Sequence, residues 1–119
     1  MKSVEDLDVF KLLHRLALEV YQVTESFPKE EQFGLTAQLR RAASSGPSNL
    51  VEGANRCSRA EYRNFVGISR GSAGEARYQL LLAIDLGYLL KETGHRMRDD
   101  YGRAIQMLTN LIKSLGRKP

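Results

Sequence analysis

Several residue types are scarce in this sequence of 119 residues, which has no tryptophan, one cysteine and three prolines. A lone cysteine, Cys57, cannot close an internal disulfide, which argues against a small, cross-linked secreted protein. The longest apolar run covers residues 80–84, far short of the ~20 residues that cross a bilayer. The first ten residues lack the apolar run of a signal peptide, so a cytoplasmic location is expected.

Signals for β-strands are also missing. No segment alternates apolar and polar residues for long, and there is no Asn-Gly or Asp-Gly hairpin turn. Apolar residues make up 42% of the chain and charged residues 27%, which is typical of a folded globular protein. Eighteen Lys and Arg residues against fourteen Asp and Glu residues give a net charge of +4, a mild preference for anionic partners such as nucleic acid.

Apolar residues recur instead at steps of three and four, the spacing that predicts amphipathic helices. Ser58 and Glu61 form a capping box at the start of the third helix, and Gly87 and Gly116 are typical helix terminators. The predicted helices cover residues 4–26, a segment from 29 or 30 to at least 51, residues 58–86 and residues 93–115. We therefore predict that residues 1–119 form a single all-α domain, an antiparallel four-helix bundle.

The second predicted helix contains Gly46-Pro47 among small residues. Proline lacks an N–H group and crowds the carbonyl four residues earlier, which costs roughly 3 kcal/mol in a straight helix. Either the helix bends there or a new helix starts at Pro47, and we favour a bend because the apolar spacing resumes at Leu50. The small residues favour a site of close helix packing, and the alternative is a groove for a ligand or partner.

The third predicted helix carries a row of arginines spaced 4, 7 and 7 residues apart. At about 100° per residue they fall within an arc of about 40°, and Arg56 would extend the line. The planar guanidinium group suits phosphate, so the row is a candidate nucleic-acid-binding surface. The alternative is a solvated or salt-bridged helix face. We call these four residues the arginine row: Arg59, Arg63, Arg70 and Arg77.

No catalytic, metal or cofactor site is predicted. Bundles that bind two metals use two Glu-x-x-His motifs, whereas this sequence has one, Glu92 to His95, and His14 lacks a matching glutamate. Cys57 precedes a helix start, but nothing in the sequence places a histidine beside it as a catalytic base.

The third predicted helix also contains three interior glycines, each of which costs about 1 kcal/mol of helix propensity. We expect these residues, Gly67, Gly71 and Gly74, to be positions of close helix or subunit contact. Together with the wide apolar stripes of the first and fourth helices, they predict a homo-oligomer.

Several stretches together resemble the 23S rRNA intervening-sequence protein family and the related accessory proteins of diversity-generating retroelements. The matching pieces, in chain order, are DLDVF, FPKEEQFGLTAQLRRAA, PSNLVEG, R-x-S-x-x-E-Y at residues 56–62, GS at residues 71–72 and AIDLGYL at residues 83–89. The resemblance implies an up-down-up-down bundle assembled as a homopentamer, with no established enzymatic activity. The retroelement proteins have a basic surface that associates with a reverse transcriptase and nucleic acid.

The residues that match the family motif are expected to have structural roles, with Arg40, Arg41 and Glu52 paired to one another or to neighbouring groups. The full structural set is Arg40, Arg41, Pro47, Glu52 and Gly53. The sequence thus favours a non-enzymatic oligomeric scaffold that binds RNA or a ribonucleoprotein through the arginine row. The alternative is a protein-interaction adaptor that does not bind nucleic acid.

Overall fold

A computed structural model of the protein describes residues 3–117, in which four long helices form an antiparallel bundle without any strand. The predicted fold class is thus confirmed. The helices are α1 (Asp8–Thr24), α2 (Leu35–Ala54), α3 (Arg59–Asp85) and α4 (Lys91–Gly116). Short 3-10 turns at Val4–Asp6 and Lys29–Glu31 precede α1 and α2. None of the described helices is both long enough and apolar enough to cross a membrane.

The helices run up, down, up and down around one core. Helix α3 packs against α2 and α4, and α1 packs against α2 and α4 on the opposite side. The core contains one apolar stripe from each helix, as the sequence periodicity predicts. The fully buried side chains with the largest volumes are Tyr101, Leu13, Leu16, Leu39, Leu50, Leu80, Met97, Leu108, Val20, Val66 and Ser69.

The first two helices begin later than the sequence predicts. Helix α1 starts at Asp8 because Leu7 has an extended backbone. Helix α2 starts at Leu35 rather than near residue 29, because Gly34 has a non-helical backbone. The carboxylate of Glu31 accepts the Leu35 N–H at 3.1 Å, which satisfies one of the free donors of the first turn. Phe33 precedes α2 and is 90% exposed.

Helix α2 continues through Pro47 without a break, so the alternative of a new helix at Pro47 is wrong. A bend at this position stays a prediction. The carbonyl of Gly46 accepts a hydrogen bond from the Ser69 hydroxyl of α3 at 2.8 Å. A Cβ at Gly46 would lie 3.6 Å from both methyl groups of Leu13, at ordinary contact distance. The small residues around Pro47 therefore serve the packing of α2 against α1 and α3, as favoured from the sequence.

The ends of α3 agree with the sequence signals. The Ser58 hydroxyl accepts the Glu61 N–H at 3.1 Å and so caps the first turn. Helix α3 ends at Asp85, and Gly87 follows with a φ of 80°, a left-handed conformation in which glycine is favoured.

The glycines of α3 do not make the close contact with another helix that was one of the two expectations, and the subunit contact stays a prediction. A Cβ at Gly67, Gly71 or Gly74 would have no neighbour within 4 Å, so these residues are not close-contact positions within the protomer. Gly53 of α2 is such a position instead. A Cβ there would lie 2.8 Å from Cβ of Phe65 and 3.2 Å from the backbone carbonyl oxygen of Tyr62.

Tyr101 is the largest fully buried side chain, and its hydroxyl has no hydrogen-bond partner within residues 3–117. Burial raises the pKa of Tyr101 well above its usual value of 10, and the nearby negative charge of Glu19 raises it further. The phenol therefore remains neutral in the folded protein.

We expect Gly53→Ala to lower the free energy of unfolding by roughly 1–3 kcal/mol, because the added methyl group meets backbone atoms of α3 that cannot move aside. The matched control is Gly102→Ala in α4, where a Cβ would lie 3.7 Å from Nε of Arg77. This control should keep or raise stability, by up to ~1 kcal/mol of helix propensity. Urea unfolding at one fixed protein concentration measures both, and a wild-type midpoint for Gly53→Ala would contradict the close contact.

We expect Tyr101→Phe to raise the free energy of unfolding at neutral pH by about 1 kcal/mol, because it removes a buried hydroxyl without a partner. The raised pKa adds a pH dependence with a definite sign. Below pH 10 the tyrosine is neutral in both states, whereas above pH 10 only the unfolded state loses the proton, so wild-type stability falls. Urea unfolding on both sides of pH 10 should therefore show a steeper alkaline loss for wild type than for the variant. Equal losses would contradict the raised pKa.

Candidate nucleic-acid interface

The arginine row lies on the side of α3 that faces outward next to α4. Arg59, Arg63 and Arg70 are exposed, and Arg77 is partly exposed. The alignment predicted from their spacing follows from the continuous helix Arg59–Asp85, which contains all four residues.

Two members of the arginine row donate hydrogen bonds to backbone carbonyls near the end of α4. Nη2 of Arg59 donates to the Ser114 carbonyl at 2.9 Å and to the Arg117 carbonyl at 3.4 Å. Nε of Arg63 donates to the Ile112 carbonyl at 3.3 Å. The carbonyls of a last helical turn lack partners within the helix, and cations are favoured there by the helix dipole. These contacts orient both guanidinium groups along the α3–α4 boundary.

Arg77 contacts a residue that sequence reasoning missed. Its Nε donates to the Arg98 carbonyl of α4 at 3.2 Å, and Nε of Arg98 donates to the Arg77 carbonyl at 3.1 Å. Arg98 therefore adds a fifth guanidinium to the same surface. No local motif marks it, because it reaches the surface only through the pairing of α3 with α4. We call this set the basic face: Arg59, Arg63, Arg70, Arg77 and Arg98.

Among the described residues, the carboxylates that form ion pairs do so with arginines outside the basic face. Glu19 of α1 and Asp100 of α4 form a network with Arg15, Arg96 and Arg103 on the far side of α4. The hydrogen bond with Glu19 raises the pKa of Arg96. Within residues 3–117, no member of the basic face forms an ion pair, so the salt-bridged alternative does not hold inside the protomer.

Arg56 does not extend the arginine row, because it precedes α3 and turns toward α2. Its guanidinium pairs with Glu52 at 2.9 Å and lies over the Phe65 ring, 4.8 Å from the centroid. This geometry is a cation–π contact combined with an ion pair, and it stabilises the turn between α2 and α3.

The arginines of α2 contact neighbouring helices. Arg41 pairs with Glu75 of α3 at 2.6 Å. Nε of Arg40 donates to the hydroxyl of Thr24 at 2.8 Å, and its guanidinium lies 4.7 Å from the centroid of the Tyr21 ring. Both side chains thus link helices of the protomer and have the structural partners expected from the sequence.

A shallow groove of about 340 Å³ lies between α1 and α2 and includes Pro47. A groove for a ligand or partner at Gly46-Pro47 was the alternative to close helix packing in the sequence analysis. Leu18 and Tyr21 on its rim are 54% and 46% exposed. Its lining residues are Phe10, His14, Ala17, Leu18, Tyr21, Ser44, Pro47, Ser48 and Val51. The groove is mostly apolar, so it suits an apolar side chain better than an anion.

The residues considered for chemistry do not come together. His14 stacks on Phe10 at the surface of α1, whereas His95 is exposed near the start of α4. Cys57 is exposed in the turn before α3. Among the described residues, no group of three or more His, Cys, Asp or Glu side chains could hold a metal ion.

Comparison with known proteins identifies the family. The family model of the 23S rRNA-intervening sequence protein matches residues 5–110. The chain belongs to this family. A search of curated proteins finds no match.

The solved structures support the fold of this family member. A crystal structure at 1.70 Å resolution is similar, that of a protein with unknown function from the S23 ribosomal protein family of Bacteroides thetaiotaomicron. It is 24% identical in sequence, with a TM-score of 0.81 over 88% of this chain and 95% of the other chain. At this identity the likeness extends to the bundle and not to its surface residues.

Proposed function

We propose that this member of the 23S rRNA-intervening sequence protein family is a non-enzymatic, homo-oligomeric scaffold that binds RNA or a ribonucleoprotein. The observation that carries the proposal is the basic face, five guanidinium groups without a carboxylate partner among the described residues. The proposal includes a cytoplasmic location, which suits an exposed free thiol at Cys57.

The distribution of charge supports a polyanionic ligand. Acidic side chains neutralise the arginines between α1 and α4, whereas the boundary between α3 and α4 keeps its positive charge. From Arg59 to Arg77 the row is about 27 Å long at ~1.5 Å per residue, enough for several nucleotides of a single strand. Binding through such a row is electrostatic and only weakly dependent on base sequence.

The outer surface of α3 supports oligomerisation. Gly67, Gly71 and Gly74 lose helix propensity without any packing contact inside the protomer, so a neighbouring subunit would provide the compensating contact. Large apolar side chains are also exposed at other positions of the chain: Leu18, Tyr21, Phe33, Ile68, Tyr78, Leu86 and Leu90. The family resemblance makes a pentamer the expected assembly.

The three interior glycines of α3 and the arginine row lie on adjacent parts of the helix surface. At about 100° per residue, Gly71 lies about 100° from Arg70 around the helix axis, and Gly67 and Gly74 lie about 60° and 40° from it. A subunit that packs on the glycines would therefore border the basic face. Oligomerisation would then bring several basic faces onto one assembly and raise the avidity for a long polyanion.

A second candidate function is a protein-interaction adaptor, favoured by the groove between α1 and α2. An apolar side chain of a partner would contact Leu18, Tyr21 and Pro47 there. Nuclease-treated pull-downs separate the two candidates. A partner captured by wild type and lost with Leu18→Glu, without bound nucleic acid, would favour the adaptor.

We expect wild type to bind single-stranded RNA at low salt, and Arg63→Gln combined with Arg70→Gln to weaken binding about tenfold or more, because charged hydrogen bonds to phosphate are lost. The slope of log affinity against log salt should fall by about 0.7 for each phosphate contact removed. Fluorescence anisotropy over a salt series measures both quantities.

The matched control is Arg41→Gln combined with Arg103→Gln, which removes the same charge from residues that pair with Glu75 and Asp100. This control should keep most of the affinity and the wild-type salt slope. No binding by wild type at low salt would refute the proposed function, and equal losses in both variants would refute the role of the basic face.

We expect light scattering after gel filtration to give wild type about five times the protomer mass. Gly71→Glu should dissociate the assembly without unfolding the helices, because the position is open within the protomer. Gln22→Glu on the exposed side of α1 adds the same charge and should leave the assembly intact. A monomeric wild type at micromolar concentration would overturn the oligomer.

A further inference from the structure

Arg77 and Arg98 are hydrogen-bonded to each other across the boundary between α3 and α4. Each Nε donates to the backbone carbonyl of the other residue, at 3.2 Å and 3.1 Å. Each guanidinium group is thus held beside the backbone of the other residue by a reciprocal pair of hydrogen bonds. Both residues lie in helix interiors, so the positions of the accepting carbonyls are also fixed.

Each side chain keeps its terminal amino groups available. The bonds to backbone use only Nε, and neither Nη1 nor Nη2 of Arg77 or Arg98 has a partner among residues 3–117. The edge formed by the two terminal amino groups matches two oxygens of a phosphate group. Because Nε is already anchored, the side chains lose less conformational entropy when a ligand binds.

Neither Arg77 nor Arg98 forms an ion pair within the described residues. Asp99, next to Arg98 in the chain, is exposed and pairs with neither of them. Like charges held close together repel, and an anion that contacts both cations relieves the repulsion. Arg70, seven residues before Arg77, has no comparable anchor to the backbone in residues 3–117.

Gly102 leaves the approach to the pair open from the side of α4. It lies one turn after Arg98, and the nearest atom to a Cβ there would be Nε of Arg77 at 3.7 Å. A glycine at this position has no side chain that could cover the Arg77 guanidinium.

We propose that Arg77 and Arg98 together form a binding site for one phosphate group of an RNA backbone. This inference rests on the proposed function, since it names the point on the basic face where a phosphodiester is held by two oriented guanidiniums. The other arginines of the face each contact the strand singly, whereas this pair holds one phosphate with two guanidinium groups.

The first test compares lysine variants, which keep the charge and lose the planar fork. We expect Arg77→Lys combined with Arg98→Lys to weaken binding of an oligouridylate of about 12 nucleotides by about tenfold, through lost charged hydrogen bonds. The matched control Arg41→Lys combined with Arg103→Lys, outside the basic face, should bind like wild type. Circular dichroism checks that all variants keep their helices. If wild type binds the RNA and the double variant binds equally well, the paired site is wrong while the proposed function stands.

The second test uses wild type with inorganic phosphate as the probe. Nitrogen-15 spectra of the arginine Nε–H groups should show saturable shifts for Arg77 and Arg98 and none for Arg70. Saturation without any RNA binding would keep the phosphate site and refute the proposed function. Shifts that are linear in phosphate and equal for all three arginines would refute the site.

Discussion

The close packing of α3 against α2 determines which side chains of α3 face the core and which face solvent. Ser69 reaches the backbone carbonyl of Gly46, and the hydroxyls of Ser45 and Ser72 bond to each other at 2.8 Å. Such short bonds require small side chains on both helices, and they satisfy polar groups that would otherwise be buried without partners. The inner side of α3 is thereby occupied by small residues, and its long charged side chains must lie on the outer side.

Charge segregation follows from this arrangement. Helix α1 brings Glu19 to α4, where it meets Arg96, and α2 brings Arg41 to Glu75. The carboxylates of Glu19, Asp100 and Glu75 are paired at these boundaries, whereas Arg59, Arg63, Arg77 and Arg98 donate to backbone carbonyls at the boundary between α3 and α4. A carbonyl orients a guanidinium without cancelling its charge, and this leaves the basic face positive.

The helices and the alignment of the arginine row could be predicted because both depend on spacing along one helix. The exposure of Phe33 could not, since the apolar pattern does not reveal that the backbone at Gly34 leaves helical geometry. The lack of a helix contact at Gly67 could not be predicted for a related reason: spacing says which residues share a side of α3, and only the packing says which side turns inward. Arg98 was missed because its role depends on a helix that is distant in sequence.

The hydrogen bonds of Arg59 connect the basic face with the end of α4. Its guanidinium is the donor to the Ser114 and Arg117 carbonyls, at the point where α4 terminates. A polyanion that draws this side chain away would leave the Ser114 carbonyl with the Arg117 N–H as its remaining partner and loosen the final turn. Amide hydrogen exchange near the carboxyl terminus would then quicken when the surface is occupied, so the terminus would report on occupancy from outside the contact itself.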